Sequence, residues 1–265
     1  MNLLAEVDKI KQEGYSEANA QAKLCQDIIV KAISESSLNR NVTIKGGVVM
    51  RSLSNSARRA TQDIDLDFIR YSISEDSIKM FISKLNCLEG ISLKMVGTVE
   101  ELRHQDYQGK RIHVEISDSE NNTLAVKMDI GVHKDLDIAQ EEYCFDISFQ
   151  DDSASVLINS KEQIVTEKLK SLMRFGTRST RYKDIFDICY LSEKTDLTVL
   201  RQCISKYIFE DETLNIHDNT EIHKRAARIF NNSTFKKHVE SSKKNWLGLP
   251  LEDVMRINLE FINKI

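Results

Sequence analysis

The sequence predicts an α+β fold, a strand-rich amino-terminal half with flanking helices followed by a mostly helical carboxy-terminal half. Segments of period-two alternation recur between Val42 and Phe149, and helical periodicity replaces them after Asp151. The chain has 265 residues, 41% of them hydrophobic and 29% charged, enough for a sizeable core in one or two domains. The expected division is residues 1–150, a mixed-sheet core with amino-terminal helices, and residues 151–265, helical. One proline and nine glycines leave few linkers, and the chain shows no internal repeat or low-complexity tract.

Taken in order, Leu4, Val7, Ile10 and later Leu24, Ile28 and Ile29 give a helical region to about Ser37. A strand is expected at Val42–Lys45, then the Gly46-Gly47 turn, a short helix over Val48–Leu53 and an acidic strand over Asp63–Arg70. A helix around Ser77–Leu85 follows, opened by Glu75 and Asp76, whose charges suit a helix start. Further strands are expected at Ser92–Thr98, Arg111–Ser117, Leu124–Gly131 and Tyr143–Phe149. From Asp151 onward only helices are expected, the first opened by a Ser160/Gln163 capping box and stopped by Gly176.

Composition excludes several classes. No run of eighteen apolar residues is present and the amino terminus lacks the apolar stretch of a signal peptide, so a cytoplasmic protein without membrane contact is expected. Five scattered cysteines form no Cys-x-x-Cys, which speaks for reduced thiols rather than a disulfide framework or zinc ribbon. A net charge of −4 argues against bulk coating of nucleic acid, while leaving room for local basic grooves. Two stretches qualify: Lys168 to Lys183, and Lys224 to Lys244.

The chemistry is concentrated in Lys45-Gly46-Gly47 and Asp63-Ile64-Asp65-Leu66-Asp67-Phe68. Glycines at a strand-to-helix turn offer free N–H groups and a positive dipole end, an anion site reinforced by Arg51, Arg58 and Arg59. On a strand Asp63, Asp65 and Asp67 share one side, with carboxylates two apart separated by ~6.5–7 Å, within reach of common divalent cations. A calcium loop starting at Asp63 fails because Phe68 and Ser74 stand where glycine and glutamate are required. A charged edge strand is the bland alternative, opposed by the apolar Ile64, Leu66 and Phe68. Asp63 and Asp65 are the leading ligands, and Asp129 or its rival Glu115 would supply a third carboxylate from another strand. In the helical half, Lys168 lies beside the apolar stripe Val165, Leu169 and Leu172, and Arg178, Arg181 and Lys183 make a basic loop. Asp184 and Asp187 follow, one helical turn apart.

The order of these segments resembles the AbiEii/AbiGii-type nucleotidyltransferase toxins. Lys45-Gly-Gly-Val-Val-Met-Arg51 with Arg59-Ala-Thr61-Gln-Asp63-Ile-Asp65 is similar to the family's first motif. Glu167-Lys168-Leu169 with Lys183-Asp184-Ile-Phe-Asp187-Ile188 is similar to its later signature, the whole similarity covering about residues 40–192. Val48-Val49-Met50 replaces the more usual Thr-Ala-Leu. The resemblance implies a polymerase-β-like nucleotidyltransferase core and a toxin acting in toxin–antitoxin or phage-defence systems, paired with a winged-helix antitoxin. It implies transfer of a nucleotide from an NTP to RNA, the tRNA 3′ end above all. Mg²⁺ (or Mn²⁺) would sit on Asp63, Asp65 and Asp129, and Lys45, Gly46, Gly47, Arg51 and Lys168 would bind the nucleotide. Asp184 would be the essential later carboxylate, with Asp187 its alternate. Arg178, Arg181 and Lys183 would contact RNA, and Thr61, two residues ahead of Asp63, is a candidate site of silencing by phosphorylation. A binding module without turnover and a small-molecule nucleotidyltransferase are the competing readings.

Overall fold

In the computed structural model the described residues are 1–102 and 109–265. They form two compact units, Met1–Asn159 and Ser160–Ile265.

The first unit opens with α1 (Leu3–Gln12) and α2 (Glu17–Glu35), separated near Gly14, whose φ of 95° no ordinary side chain adopts cheaply. Then come β1 (Val42–Lys45), α3 (Gly46–Ser54), β2 (Asp63–Phe68), α4 (Glu75–Lys84), β3 (Ile91–Leu102), β4 (Gly109–Asp118), β5 (Thr123–Val132), β6 (Glu141–Asp146) and β7 (Ser153–Ile158). They build one mixed seven-stranded sheet in the order β3-β4-β5-β2-β1-β7-β6. β2 lies at its centre, antiparallel to β1 and parallel to β5. The fold is α+β.

The expectation of helices alone after Asp151 does not hold. Ser153–Ile158 is a strand, parallel to β1 and antiparallel to β6. Its Ala154, Val156 and Ile158 are buried between exposed or half-buried neighbours, a short alternation that a serine-rich start disguises. The acidic strand also ends earlier than expected, at Phe68, because Arg70 turns the chain with a φ of 51°.

Alternation on β2 works as the pattern predicts. Ile64, Leu66 and Phe68 are fully buried, and the Phe68 ring meets Phe81 of α4 at 5.0 Å. The aspartates take the opposite side. α2 crosses the sheet with an apolar surface of Leu24, Ile28, Ile29 and Ile33. Burying side chains of this size contributes about 1.5–3 kcal/mol each.

The free start of α1 is fixed from far along the chain. Asp118 accepts the N–H of Leu3 at 2.9 Å, at a helix end where unpaired N–H groups and the dipole favour an anion. The same carboxylate accepts the Glu120 and Asn122 N–H groups and the Asn122 side-chain amide, each at 2.9 Å. These bonds, led by the Asn122 amide and the Leu3 N–H, hold the Asp118 carboxyl down at about 2.

The second unit is helical: α5 (Lys161–Phe175), α6 (Lys183–Leu191), α7 (Leu197–Ile204) continued by a π-turn, α8 (Asn219–Phe230), α9 (Ser233–Ser241) and α10 (Leu251–Lys264). Ser160 caps α5 by accepting the Gln163 N–H at 3.1 Å, and Gly176 ends it with a φ of 55°. α10 docks on α6 through buried Asn258, whose amide donates to the Ile185 carbonyl at 2.9 Å. Among the described residues no helix is long and apolar enough to cross a membrane.

Because Asp118 titrates at about 2 in the folded chain and near ~3.9 when unfolded, its stabilising effect is complete above about pH 5, shrinks below that and is lost as pH falls through 2. Asp118→Ala should therefore lower Tm at pH 6, and the gap from wild type should close on acidification. A constant gap from pH 6 to pH 2.5 would show that Asp118 does not act through its charge.

Candidate active site

The acidic face is assembled by strand register. Asp65 lies opposite Asp129 on β5 and opposite Lys45 on β1, while Asp129 lies opposite Arg111 on β4. Register partners share a sheet face, so Lys45, Asp65, Asp129 and Arg111 form one row across four neighbouring strands. Asp63 and Lys127 form the next row. Glu115 stands one strand further out, opposite Ala125, so register favours Asp129 over it as the neighbour of Asp65.

Carboxylates this close repel, and cations offset the repulsion. Lys127 Nζ is 2.8 Å from Asp63, Lys45 Nζ is 2.7 Å from Asp67, and Arg111 grips Asp129 with two bonds of 2.7 and 2.8 Å. The bond to Asp129 raises the Arg111 guanidinium above its ordinary value against the opposing effect of burial. Asp63 is open, its side chain 42% exposed, whereas Asp67 is buried.

The Gly46-Gly47 turn is moulded to this face. Gly46 has a φ of 67°, and a Cβ added there would lie 2.4 Å from a carboxylate oxygen of Asp65. A Cβ on Gly47 would lie 2.6 Å from the Thr61 hydroxyl. The start of α3 can approach Asp65 and half-buried Thr61 only because both positions lack a side chain. From the other side, buried Gln26 of α2 donates to the carbonyls of Thr61 (3.0 Å) and Asp63 (3.2 Å), fixing the strand entry.

Arg51 is 6% exposed, and its guanidinium is taken up by Asp27 of α2 at 3.0 Å. Lys23 (2.7 Å) and the Ser148 N–H (3.2 Å) complete the shell of Asp27. Burial pushes this carboxyl up, but Arg51 and Lys23, with the hydrogen bonds of Lys23 and Ser148, outweigh it and hold it below its ordinary value. Arg51 thus ties α3 to α2. Arg59, also expected near phosphate, is 3% exposed.

The second unit carries the other cluster. Lys168 of α5, 8% exposed, lies between Asp184 (2.7 Å) and Asp187 (2.8 Å) of α6. Asp187 is fully buried and also accepts the Trp246 indole N–H at 3.0 Å, and the Trp246 ring packs on Tyr190 at 5.2 Å. Oδ2 of Asp184 is buried without a hydrogen-bond partner among the described residues. Arg178 and Arg181 are exposed and Lys183 half-buried.

The family model described as nucleotidyl transferase AbiEii toxin, type IV TA system, matches residues 27–249. The chain belongs to this family. The matched span runs from buried Asp27 to just past Trp246, so both clusters lie inside an AbiEii-family domain that extends well beyond residues 40–192. A crystal structure of an antigenic nucleotidyltransferase-like protein from Paracoccidioides brasiliensis is similar with a TM-score of 0.45 and 16% identity, over 71% of this chain and 89% of that one. No curated protein matches the chain.

For this AbiEii-family chain, Asp63, Asp65 and Asp129 offer oxygen donors of the kind Mg²⁺ and Mn²⁺ prefer, on one face of adjacent strands. Among the described residues no three His, Cys, Asp or Glu converge to hold an ion, since Asp63 and Asp129 are turned towards Lys127 and Arg111. The donor set fits such a cation by chemistry and placement, once these two carboxylates rotate from their present partners. Lys127, Arg111, Gln26, Asp27 and Trp246 escape a reading of the sequence. Lys127 and Arg111 have a signal, the period-two step from Lys127 to Asp129 and from Arg111 to His113. Gln26, Asp27 and Trp246 have none, because their partners lie far away in sequence.

Two measurements test these clusters. Arg51→Leu leaves Asp27 buried with Lys23 alone and should lower the unfolding free energy by about 3 kcal/mol in urea titration, most of it regained in Arg51→Leu/Asp27→Leu. No regain would mean poorer packing, not a stranded charge. Trp246→Phe removes a single donor to buried Asp187 and should cost about 1–3 kcal/mol, read the same way.

Proposed function

We propose that this AbiEii-family nucleotidyltransferase moves a nucleoside monophosphate from an NTP to the 3′ end of an RNA, tRNA above all, and so blocks translation. The observation that carries the reading is the in-register Asp65/Asp129 pair with Asp63 beside it, on a face whose edge is a side-chain-free Gly46-Gly47 turn. A divalent cation held by Asp63, Asp65 and Asp129 would neutralise charge on the phosphates and acidify the attacking hydroxyl.

The remaining work falls to the chain. Backbone N–H groups at the start of α3 and the ammonium of Lys45 hold the phosphates, supplying position and charge rather than covalent chemistry. The 3′-hydroxyl oxygen bonds to the α-phosphorus, the bond to the β-phosphate oxygen breaks, and pyrophosphate leaves. Asp129, once released from the two Arg111 bonds, takes the hydroxyl proton. Arg51 serves by anchoring α3 to α2, and Gln26 by holding the entry to β2. Lys168 remains the proposed cation for the triphosphate, with Asp184 and Asp187 setting its position. A phosphate on Thr61 would sit against Gly47 and silence the turn. The family implies an antitoxin partner, proposed here as a winged-helix protein, and a cytoplasmic setting.

Incubation with each α-³²P-NTP, Mg²⁺ and total bacterial tRNA should label tRNA. Asp65→Asn should reduce the rate by at least ~100-fold, the scale of losing preorganised charge stabilisation, with little change in Tm. Label on a small molecule or protein instead of RNA would overturn the acceptor assignment, and nucleotide binding with no transfer under any metal would overturn the enzyme.

A further inference from the structure

In the second unit, cations are generally committed. Lys170 and Arg174 share Asp211, Lys206 pairs with Glu210, Lys236 with Glu252, and Arg256 with Asp253 and Glu260. One region departs from this economy. Arg178 and Arg181, Lys224 and Arg228 of α8, and Lys237 of α9 are all exposed, and their side chains have no ion pair or hydrogen bond among the described residues. Their elements adjoin: the Gly176–Arg178 turn packs against both α8 and α9, and Arg181 lines the same cleft as Phe235 of α9. Lys224 and Arg228 lie one helical turn apart and so share a face of α8. The nearby acids Asp218 and Glu221 are engaged with backbone N–H groups at the start of α8, leaving Glu240 as the exposed carboxylate of α9.

The backbone just past α9 is strained. Lys243 follows the cap residue Ser242 and adopts a φ of 55°, the left-handed position that glycine fills cheaply and a lysine fills at a cost. Lys244 extends the same exposed segment. A lysine kept where glycine would fold better points to a use for its ammonium group, in line with the tendency of backbone strain to collect at functional positions.

We propose that the α8–α9 surface together with the Arg178–Arg181 loop is a docking site for an RNA phosphodiester backbone. The inference rests on the nucleotidyl-transfer reading for its choice of RNA. Polyanions supply the partners that these cations lack within the chain, and a set of separated, flexible, exposed cations suits repeated phosphates rather than one carboxylate. The residues named are all cations, which grip phosphates and position a backbone rather than read bases.

The test is binding of 5′-fluorescein-labelled bacterial tRNA to the full chain by anisotropy, without nucleotide, across a salt series. Removing one cation that neutralises a phosphate should flatten the slope of log K against log salt by about 0.7–0.9. Lys224→Gln/Arg228→Gln/Lys237→Gln should weaken binding at least ~10-fold and flatten the slope by about 2–3, with Tm unchanged. Lys243→Gly is the sharper probe, because it should weaken RNA binding while Tm holds or rises, opposite to what a purely structural residue shows. Unchanged affinity and slope in both variants would overturn the docking site, and so would binding of an acidic polypeptide with no binding of tRNA. The two readings fail separately. Normal tRNA labelling by the triple variant removes this surface and leaves the enzyme, whereas salt-sensitive, variant-sensitive tRNA binding with no labelling removes the transfer reaction and leaves the surface.

Discussion

Asp27 is 3% exposed, on a helix whose buried face is mostly aliphatic, and its carboxylate would cost several kcal/mol if left alone. Arg51 and Lys23 offset that cost, and Arg51, reaching over from α3, locks that helix against α2. The position of α3 fixes the Gly46-Gly47 turn, and the turn fixes the approach to Asp65. The same arrangement of a carboxylate held by a cation recurs at Asp63 with Lys127, Asp67 with Lys45 and Asp129 with Arg111. It recurs in the second unit at Asp184 and Asp187 with Lys168. Each pair is modest as a source of net stability, but the buried ones, Asp67 with Lys45 and Asp187 with Lys168, forbid the loss of one member.

A cation that neutralises the acidic face is part of the fold, and it would compete for the same carboxylates with any metal ion bound there. Lys127 and Arg111 are partly exposed, with side chains 32% and 31% accessible, so water can take over their solvation when Asp63 and Asp129 change partners. Lys168 is far less accessible and holds two carboxylates at once, so removing it strands two charges rather than one. A substitution at Lys168 therefore disturbs the second unit's packing as well as its charge.

How much of this is legible in the sequence depends on whether the signal is local. The alternation of Asp63, Ile64, Asp65 and Leu66 identifies the central strand and its two faces, and Lys45-Gly46-Gly47 marks the turn, because both patterns live within a few residues. Ser160 and Gly176 bound α5 for the same reason. β7 stays hidden since Ser153 and Ser155 blur a strand that is justified by pairing with β1 and β6. Arg51 reads as a phosphate ligand from its place one turn after the glycines, yet its partner Asp27 lies in another helix. Asp118 capping α1, Gln26 holding Thr61 and Asp63, and Trp246 bonding Asp187 are likewise long-range contacts that no spacing rule encodes.

The glycine turn also shapes how such a toxin can be lost. Any base change in a glycine codon that alters the residue adds at least a Cβ, and at Gly46 and Gly47 that atom would land 2.4 Å from the Asp65 carboxylate or 2.6 Å from the Thr61 hydroxyl. The Thr61 backbone is held by Gln26, so its hydroxyl cannot move away with the chain, and the Asp65 carboxylate would have to turn out of its present position. Two adjacent codons thus form a compact target for disarming, small in the gene and intolerant at nearly every base that matters. A single substitution at either codon would be expected to deform the turn while leaving every other residue of the chain as it is.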